Sequence, residues 1–368
     1  MPAAPRAVCL GETMGLLAAT SVGRLAHVGE MALGIGGAES NVAIALARLG
    51  VPTAWTGRLG ADAIGDRVVR ELTAERIAVH AVRDPDAPTG LMLKERLPGG
   101  RITVWYYRAH AAGSRLAVSD VDDELIAAAE LLHVTGISPA LGPGPAAAAA
   151  HAVAVAREAG TTVSVDVNHR SALWSDEDAA PALRALAASA DVLYAGDDEA
   201  RLVLGTARTD PEALARGLAA LGPSEVVVKL GAGGALALFR DDGPSRAGPA
   251  AADGARPGEA GPPAGGAGPG SPVTGTAARA ARHPPAGPLG DWTALREPAV
   301  PVDVVDPVGA GDAFVGAHLA ERLAGRTPAE RLRTAVTAGA LMCTVPGDWE
   351  ALPDRADLAA LAGPDVTR

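Results

Sequence analysis

At 368 residues, 48% of them hydrophobic, the chain is long enough to bury a substantial core, which excludes a wholly disordered segment and predicts one large domain or a domain with an appendage. A formal net charge of -11 offers no basic field to collect a polyphosphate backbone, so nucleic-acid binding is excluded as the main task. Two cysteines, Cys9 and Cys343, are too few for a disulfide framework, and the first residues lack a basic segment followed by a long apolar run. The expectation is a cytoplasmic protein without a membrane anchor.

Short apolar runs predict strands at Ala7–Leu10 and at 53–57, 131–134, 162–167 and 192–194. Ala/Leu-rich stretches between them predict helices at 38–49, 61–75, 145–159 and 181–189. Two segments, about 14–33 and 89–108, break this rhythm; the second reads as two strands turned by Pro98, Gly99 and Gly100. They predict a small β lid projecting from the main domain. Further on, Glu225–Lys229 and 235–239 read as strands joined by a glycine-rich turn at 231–234, and 300–305 reads as another strand. Residues 241–297, dominated by Gly, Pro and Ala, read as a disordered insertion in a sheet connection. The whole predicts an α/β fold: a mainly parallel central sheet, helices on both faces, and a binding crevice at the carboxyl ends of the strands.

The sharpest local signal is Val304-Val305-Asp306-Pro307-Val308-Gly309-Ala310-Gly311-Asp312-Ala313-Phe314, a turn opening an apolar helix. Gly309 and Gly311 let the backbone turn tightly, so the unpaired amides of a helix start converge on an anion. Asp312 in that first turn would complement the helix dipole even in an inert protein. A carboxylate aimed into an anion-binding turn also suits a reaction in which a hydroxyl loses its proton while phosphoryl charge is held alongside. That reading makes Asp312 a general base and the amides of Gly309, Ala310, Gly311 and Asp312 an anion hole. No Gly-Lys-Ser/Thr closes a P-loop, and Phe314 stands where a dinucleotide fingerprint needs Gly or Ala.

A second turn, Gly36-Gly37-Ala38-Glu39-Ser40-Asn41-Val42-Ala43, enters a helix through residues small enough for close ligand approach. Together the two motifs resemble the paired signatures of the PfkB, or ribokinase-like, carbohydrate kinases, and the resemblance covers nearly the whole chain apart from 241–297. Within that family, Tyr106-Tyr107-Arg108, Asp166-Val167-Asn168-His169-Arg170 with Leu173-Trp174, and Pro346-Gly347-Asp348 are similar to the kinases of 2-keto-3-deoxygluconate. The resemblance implies a sugar acid held between sheet and lid by Gly37, Asn41, Tyr106, Arg108, Arg170 and Asp348. It also implies ATP beside Gly196, Gly231, Ala232, Gly234 and the 309–311 turn. Glu199 would organise Mg²⁺ through water; here Gly196 stands where relatives carry Asn, and Met92 where the keto-deoxygluconate enzymes carry an aromatic residue. A homo-oligomer, dimer or higher, is implied as well.

Spacing adds an argument of its own. Tyr106 and Arg108 are two apart on a predicted strand and share a face, as do Asp166, Asn168 and Arg170 at a strand end. A guanidinium fork suits a carboxylate, so two arginines facing one crevice of an acidic protein favour an anionic sugar. A neutral-sugar or nucleoside kinase, such as a fructokinase, ribokinase or adenosine kinase, and a non-catalytic sugar or nucleotide sensor are the alternatives.

Overall fold

Side-chain alternation decides the layers. In β1 (Ala7–Leu10), Ala7 and Cys9 enter one apolar cluster and Val8 and Leu10 another, and all four are fully or almost fully buried. A strand buried on both faces belongs in the middle of a parallel sheet covered by helices. The computed structural model describes residues 4–240 and 292–360.

The strands that follow are β2 (Met14–Ala19), β3 (Met31–Gly36), β4 (Thr53–Gly60), β5 (Ala78–Asp84), β6 (Leu91–Arg96), β7 (Ile102–Tyr107) and β8 (Leu131–Thr135). After them come β9 (Thr162–Asp166), β10 (Val192–Gly196), β11 (Glu225–Lys229), β12 (Ala235–Arg240) and β13 (Trp292–Glu297). Nine strands form the main sheet in the order β13-β12-β11-β10-β9-β8-β1-β4-β5, parallel from β11 to β5, with β12 antiparallel to both its neighbours.

In chain order the helices are α1 (Ala38–Arg48), α2 (Ala63–Ala74), α3 (Asp123–Ala128), α4 (Ile137–Ala140), α5 (Pro143–Ala159), α6 (Asp176–Ala188), α7 (Asp197–Leu204), α8 (Pro211–Ala219), α9 (Ala310–Leu323), α10 (Pro328–Met342) and α11 (Arg355–Ala360). The cluster holding Cys9, Trp55 and Tyr194 is closed by α1, α2, α9 and α10; the cluster holding Leu10, Val165 and Val228 is closed by α3, α5, α6, α7 and α8. This is the mainly parallel sheet with helices on both faces expected from the sequence. None of the described helices is long and apolar enough to cross a membrane.

The lid is a separate four-stranded sheet, β3-β2-β6-β7. Its strand register puts Leu16, Met92 and Tyr106 in one row and Ala18, Lys94 and Val104 in the next, all on the inner face. Met14, Leu16 and Met92 make a small apolar core there, packed by Ala18 and Val104. The outer face leaves Trp105 and Tyr107 more than half exposed.

Three expectations need correction. Within 241–297, Trp292–Glu297 is a strand that pairs antiparallel with β12, Arg240 lying over the Trp292 ring. Its glycine- and proline-rich flanks dilute the signal of the strand itself; residues 241–291 lie outside the described residues. Residues 300–305 form no ladder: Pro298 and Pro301 have no amide to give one, and the Val305 and Asp306 amides donate to the Cys343 carbonyl instead. The helix expected from 181 begins at Asp176, because Ser175 accepts from the Asp178 amide and caps it ahead of Pro181.

Candidate active site

Gly309 decides the shape of the turn that opens α9. Its φ of 81° is left-handed, and a Cβ there would lie 2.1 Å from the Asp348 carbonyl oxygen, so conformation and space both require glycine. As N-cap of α9 it has no side chain with which to cap the first-turn amides, which leaves that helix start open to an anion.

One turn in, Asp312 is almost fully buried, and Asn41 Nδ2 donates to its Oδ2 at 2.9 Å. Burial pushes the Asp312 carboxyl up to about 6, against the pull of Arg170 and the Asn41 hydrogen bond. Asn41, expected to hold substrate, therefore positions the carboxylate, while its own Oδ1 is buried without a partner.

The carboxylate borders a cavity of about 350 Å³. Tyr106 and Val104 of the lid form one wall, Pro307, Val308, Gly309 and Gly311 another, and Asp166, Asn168, Arg170, Lys229 and Glu199 rise from the strand ends. Asn168 has a φ of 39°, so the strict strand alternation expected for 166, 168 and 170 stops at Asp166, yet all three line the same space.

Lys229, which closes the apolar run Val226-Val227-Val228, is absent from the expected site. Its Nζ donates to both oxygens of Asp166 at 2.7 Å and lies 3.7 Å from the Cβ position of Gly311. Burial works against its charge, but Asp166 and Glu199 outweigh burial and hold its pKa above the ordinary lysine value. The available signal is a cation at the carboxyl end of a buried strand.

Glu199 accepts from the Gly196 amide at 2.6 Å and the His169 amide at 2.9 Å, fixing two loops. A second cavity, about 440 Å³ and bordered by Gly196, His169 and Ser171, shares Glu199 and Lys229 with the first.

Other expected ligand residues point elsewhere. Arg108 is buried and ion-paired with buried Glu12, its guanidinium 5.3 Å from the Tyr106 ring centre, and lies outside both cavities. In the sequence Glu12 reads only as a charge interrupting an apolar start. Asp348 accepts from buried Lys94 at 2.9 Å instead of facing the cavity. Gly37 is required by the backbone, because a Cβ there would meet the Glu12 carbonyl at 2.3 Å. Gly231, Ala232 and Gly234 form the tight β11–β12 connection; a Cβ on Gly234 would strike the Glu297 carbonyl at 2.0 Å.

A further buried carboxylate escapes the sequence reading: Glu39 accepts from Thr135 at 2.6 Å and is pushed by burial up to about 7.

An uncapped helix start with a protonatable carboxylate, opposite a lysine and an arginine, suits phosphoryl transfer to a hydroxyl. The model of the pfkB family of carbohydrate kinases matches residues 4–250 and 291–355. The chain belongs to the pfkB family of carbohydrate kinases. The 2-dehydro-3-deoxygluconokinase of Bacillus subtilis (strain 168) is 32% identical over 358 residues, 96% of this chain and 94% of that protein. A 2-dehydro-3-deoxygalactonokinase of Haloferax volcanii is 31% identical over 97% of this chain and 96% of its own length. Among solved structures, a fructokinase with bound ATP from Xylella fastidiosa superposes on this pfkB kinase with a TM-score of 0.73, at 23% identity, covering 97% of this chain and 98% of that one. This last likeness speaks for the fold.

Proposed function

We propose that this carbohydrate kinase transfers the γ-phosphoryl group of ATP to the terminal hydroxyl of 2-keto-3-deoxygluconate, also named 2-dehydro-3-deoxygluconate, with Asp312 as general base. The observation that carries this reading is Asp312 itself, buried at the open start of α9 and bordering the same cavity as Arg170 and Lys229. Asn41 holds the carboxylate toward the sugar hydroxyl; the hydroxyl proton moves to Asp312 as its oxygen bonds to the γ-phosphorus. The Gly309 to Asp312 amides and the Lys229 ammonium take up charge on the migrating group. Gly196, Gly231, Ala232 and Gly234 keep the place beside ATP that the family resemblance gives them.

Mg²⁺, when bound, neutralises the polyphosphate. Glu199, which borders both cavities, is the residue that would organise the ion's water. With Arg108 committed to Glu12 and Asp348 to Lys94, the sugar carboxylate falls to Arg170, beside Tyr106.

A screen of ADP release over 2-keto-3-deoxygluconate, 2-keto-3-deoxygalactonate, fructose, ribose and adenosine tests the assignment. The sugar acids are expected to win by a wide margin; a preference for a neutral sugar or a nucleoside overturns it. Arg170→Ala should remove a charged hydrogen bond of about 1.5–3 kcal/mol, raising KM for the acids by about 10- to 150-fold and leaving KM for ATP nearly unchanged. A base raised to about 6 also predicts an acidic limb in kcat/KM near that pH. Activity must fall as pH drops through it, because protonated Asp312 accepts nothing; a flat profile between pH 5 and 7 counts against the base.

A further inference from the structure

A single fully buried ammonium joins the lid to the phosphate turn. Lys94, on the inner face of β6, donates to Asp348 Oδ1 at 2.9 Å and to the Gly347 carbonyl at 2.7 Å, and lies 2.6 Å from Asp306 Oδ2. An ammonium has three donors, and here three acceptors surround it. Its side chain and that of Asp306 are each 1% exposed.

Both carboxylates belong to the frame of the turn. Asp306 Oδ1 accepts from the Val308 amide at 3.1 Å and its Oδ2 from the Gly347 amide at 3.2 Å. The Asp348 carbonyl packs against the Gly309 position. On the lid side, Lys94 sits opposite Val104, with Tyr106 in the next row, and both of those residues wall the cavity. One connection from the cavity wall to the backbone before Asp312 thus runs through the Lys94 side chain, beside the bond that Trp349 Nε1 donates to the Ile35 carbonyl of β3.

We propose that Lys94 is a positioning residue that holds the inner face of the lid down on the phosphate turn during transfer. The proposal rests on the kinase reading above. Lifting the lid would carry the ammonium away from two buried carboxylates and leave their charge uncompensated, a strong penalty. The lid therefore stays seated and water stays out. In the productive reaction the sugar hydroxyl oxygen bonds to the γ-phosphorus, the bond to the β,γ-bridging oxygen breaks with its electron pair leaving on ADP, and the hydroxyl proton goes to Asp312. With the tether cut, a water oxygen can take the sugar's place, giving ADP and inorganic phosphate.

The test uses the full-length Lys94→Met variant and measures ADP and sugar phosphate together. ADP is expected to exceed sugar phosphate severalfold, where the wild type makes them one for one. A variant that is merely less well folded loses both equally, and a preserved one-to-one ratio overturns the proposal. Hydrogen–deuterium exchange without substrate gives a reading independent of the sugar's identity. Amides of β6 and β7 should exchange much faster than in wild type while those of β8 to β11 do not; uniform acceleration, or none, refutes the tether. A wild type that phosphorylates no sugar would sink the functional assignment, and the exchange experiment would still judge Lys94. Should Lys94→Met fail to fold, Lys94→Ala with added propylammonium replaces the charge without the covalent link. A folded protein that still wastes ATP supports the tether, and a ratio restored to one shows that charge balance alone was needed.

Discussion

Replacing Asp312 with Asn is expected to lower kcat by roughly 10²- to 10⁴-fold, the range for a positioned general base, with little change in the binding of either substrate. The substituted amide keeps a side-chain carbonyl oxygen to accept from Asn41, so the geometry at the open end of α9 can persist while proton acceptance is lost. Single-turnover rates and calorimetric Kd values separate the two effects; near wild-type turnover would remove Asp312 from the chemistry. Stability should move the opposite way. The folded value, about 6, lies above the ordinary 3.8, so the folded chain binds this proton more tightly than the unfolded one. The contribution of this group is therefore present at low pH and lost as pH rises from about 4 to about 6. Asn at this position cannot ionise, and the variant should match or exceed wild-type Tm above that window.

The second large effect is expected at Lys229. Lys229→Met should lower kcat by roughly 10²- to 10³-fold, the size seen when a preorganised charge stabiliser is removed. It should also destabilise the fold, because Asp166, buried and held through both oxygens, would lose its cation. Removing one partner of a buried pair costs about 3–5 kcal/mol, and the low end applies because the lysine side chain is a fifth exposed to water. Combining Lys229→Met with Asp166→Asn separates the two roles. The double variant should regain thermal stability without regaining turnover; recovery of both would show that Lys229 serves only Asp166.

The outcomes at the site follow a physical pattern. The glycine-lined turn with Asp312 is readable because its constraint is local: a left-handed Gly309 and a carboxylate one turn into a helix are written in adjacent residues. Arg170 is readable because it follows Asp166 and Asn168 in one short polar cluster at a strand end, and all three line the cavity. Arg108 and Asp348 look equally suited to a ligand, and neither of their partners lies nearby in sequence: Glu12 is ninety-six positions from Arg108, and Lys94 two hundred and fifty-four from Asp348. Lys229 is hidden in the same way, since a lysine ending a valine run can equally be a solvated strand terminus.

By itself the sequence determined the α/β alternation, the projecting lid and the glycine-lined elbow before α9, because strand and helix periods and turn chemistry act over a few residues. Only the tertiary structure decided which charges face the cavity and which are spent on one another, and that a strand at Trp292–Glu297 completes the sheet edge. A buried charge must find a partner wherever the fold supplies one, and the packing of distant strands and loops fixes where that is.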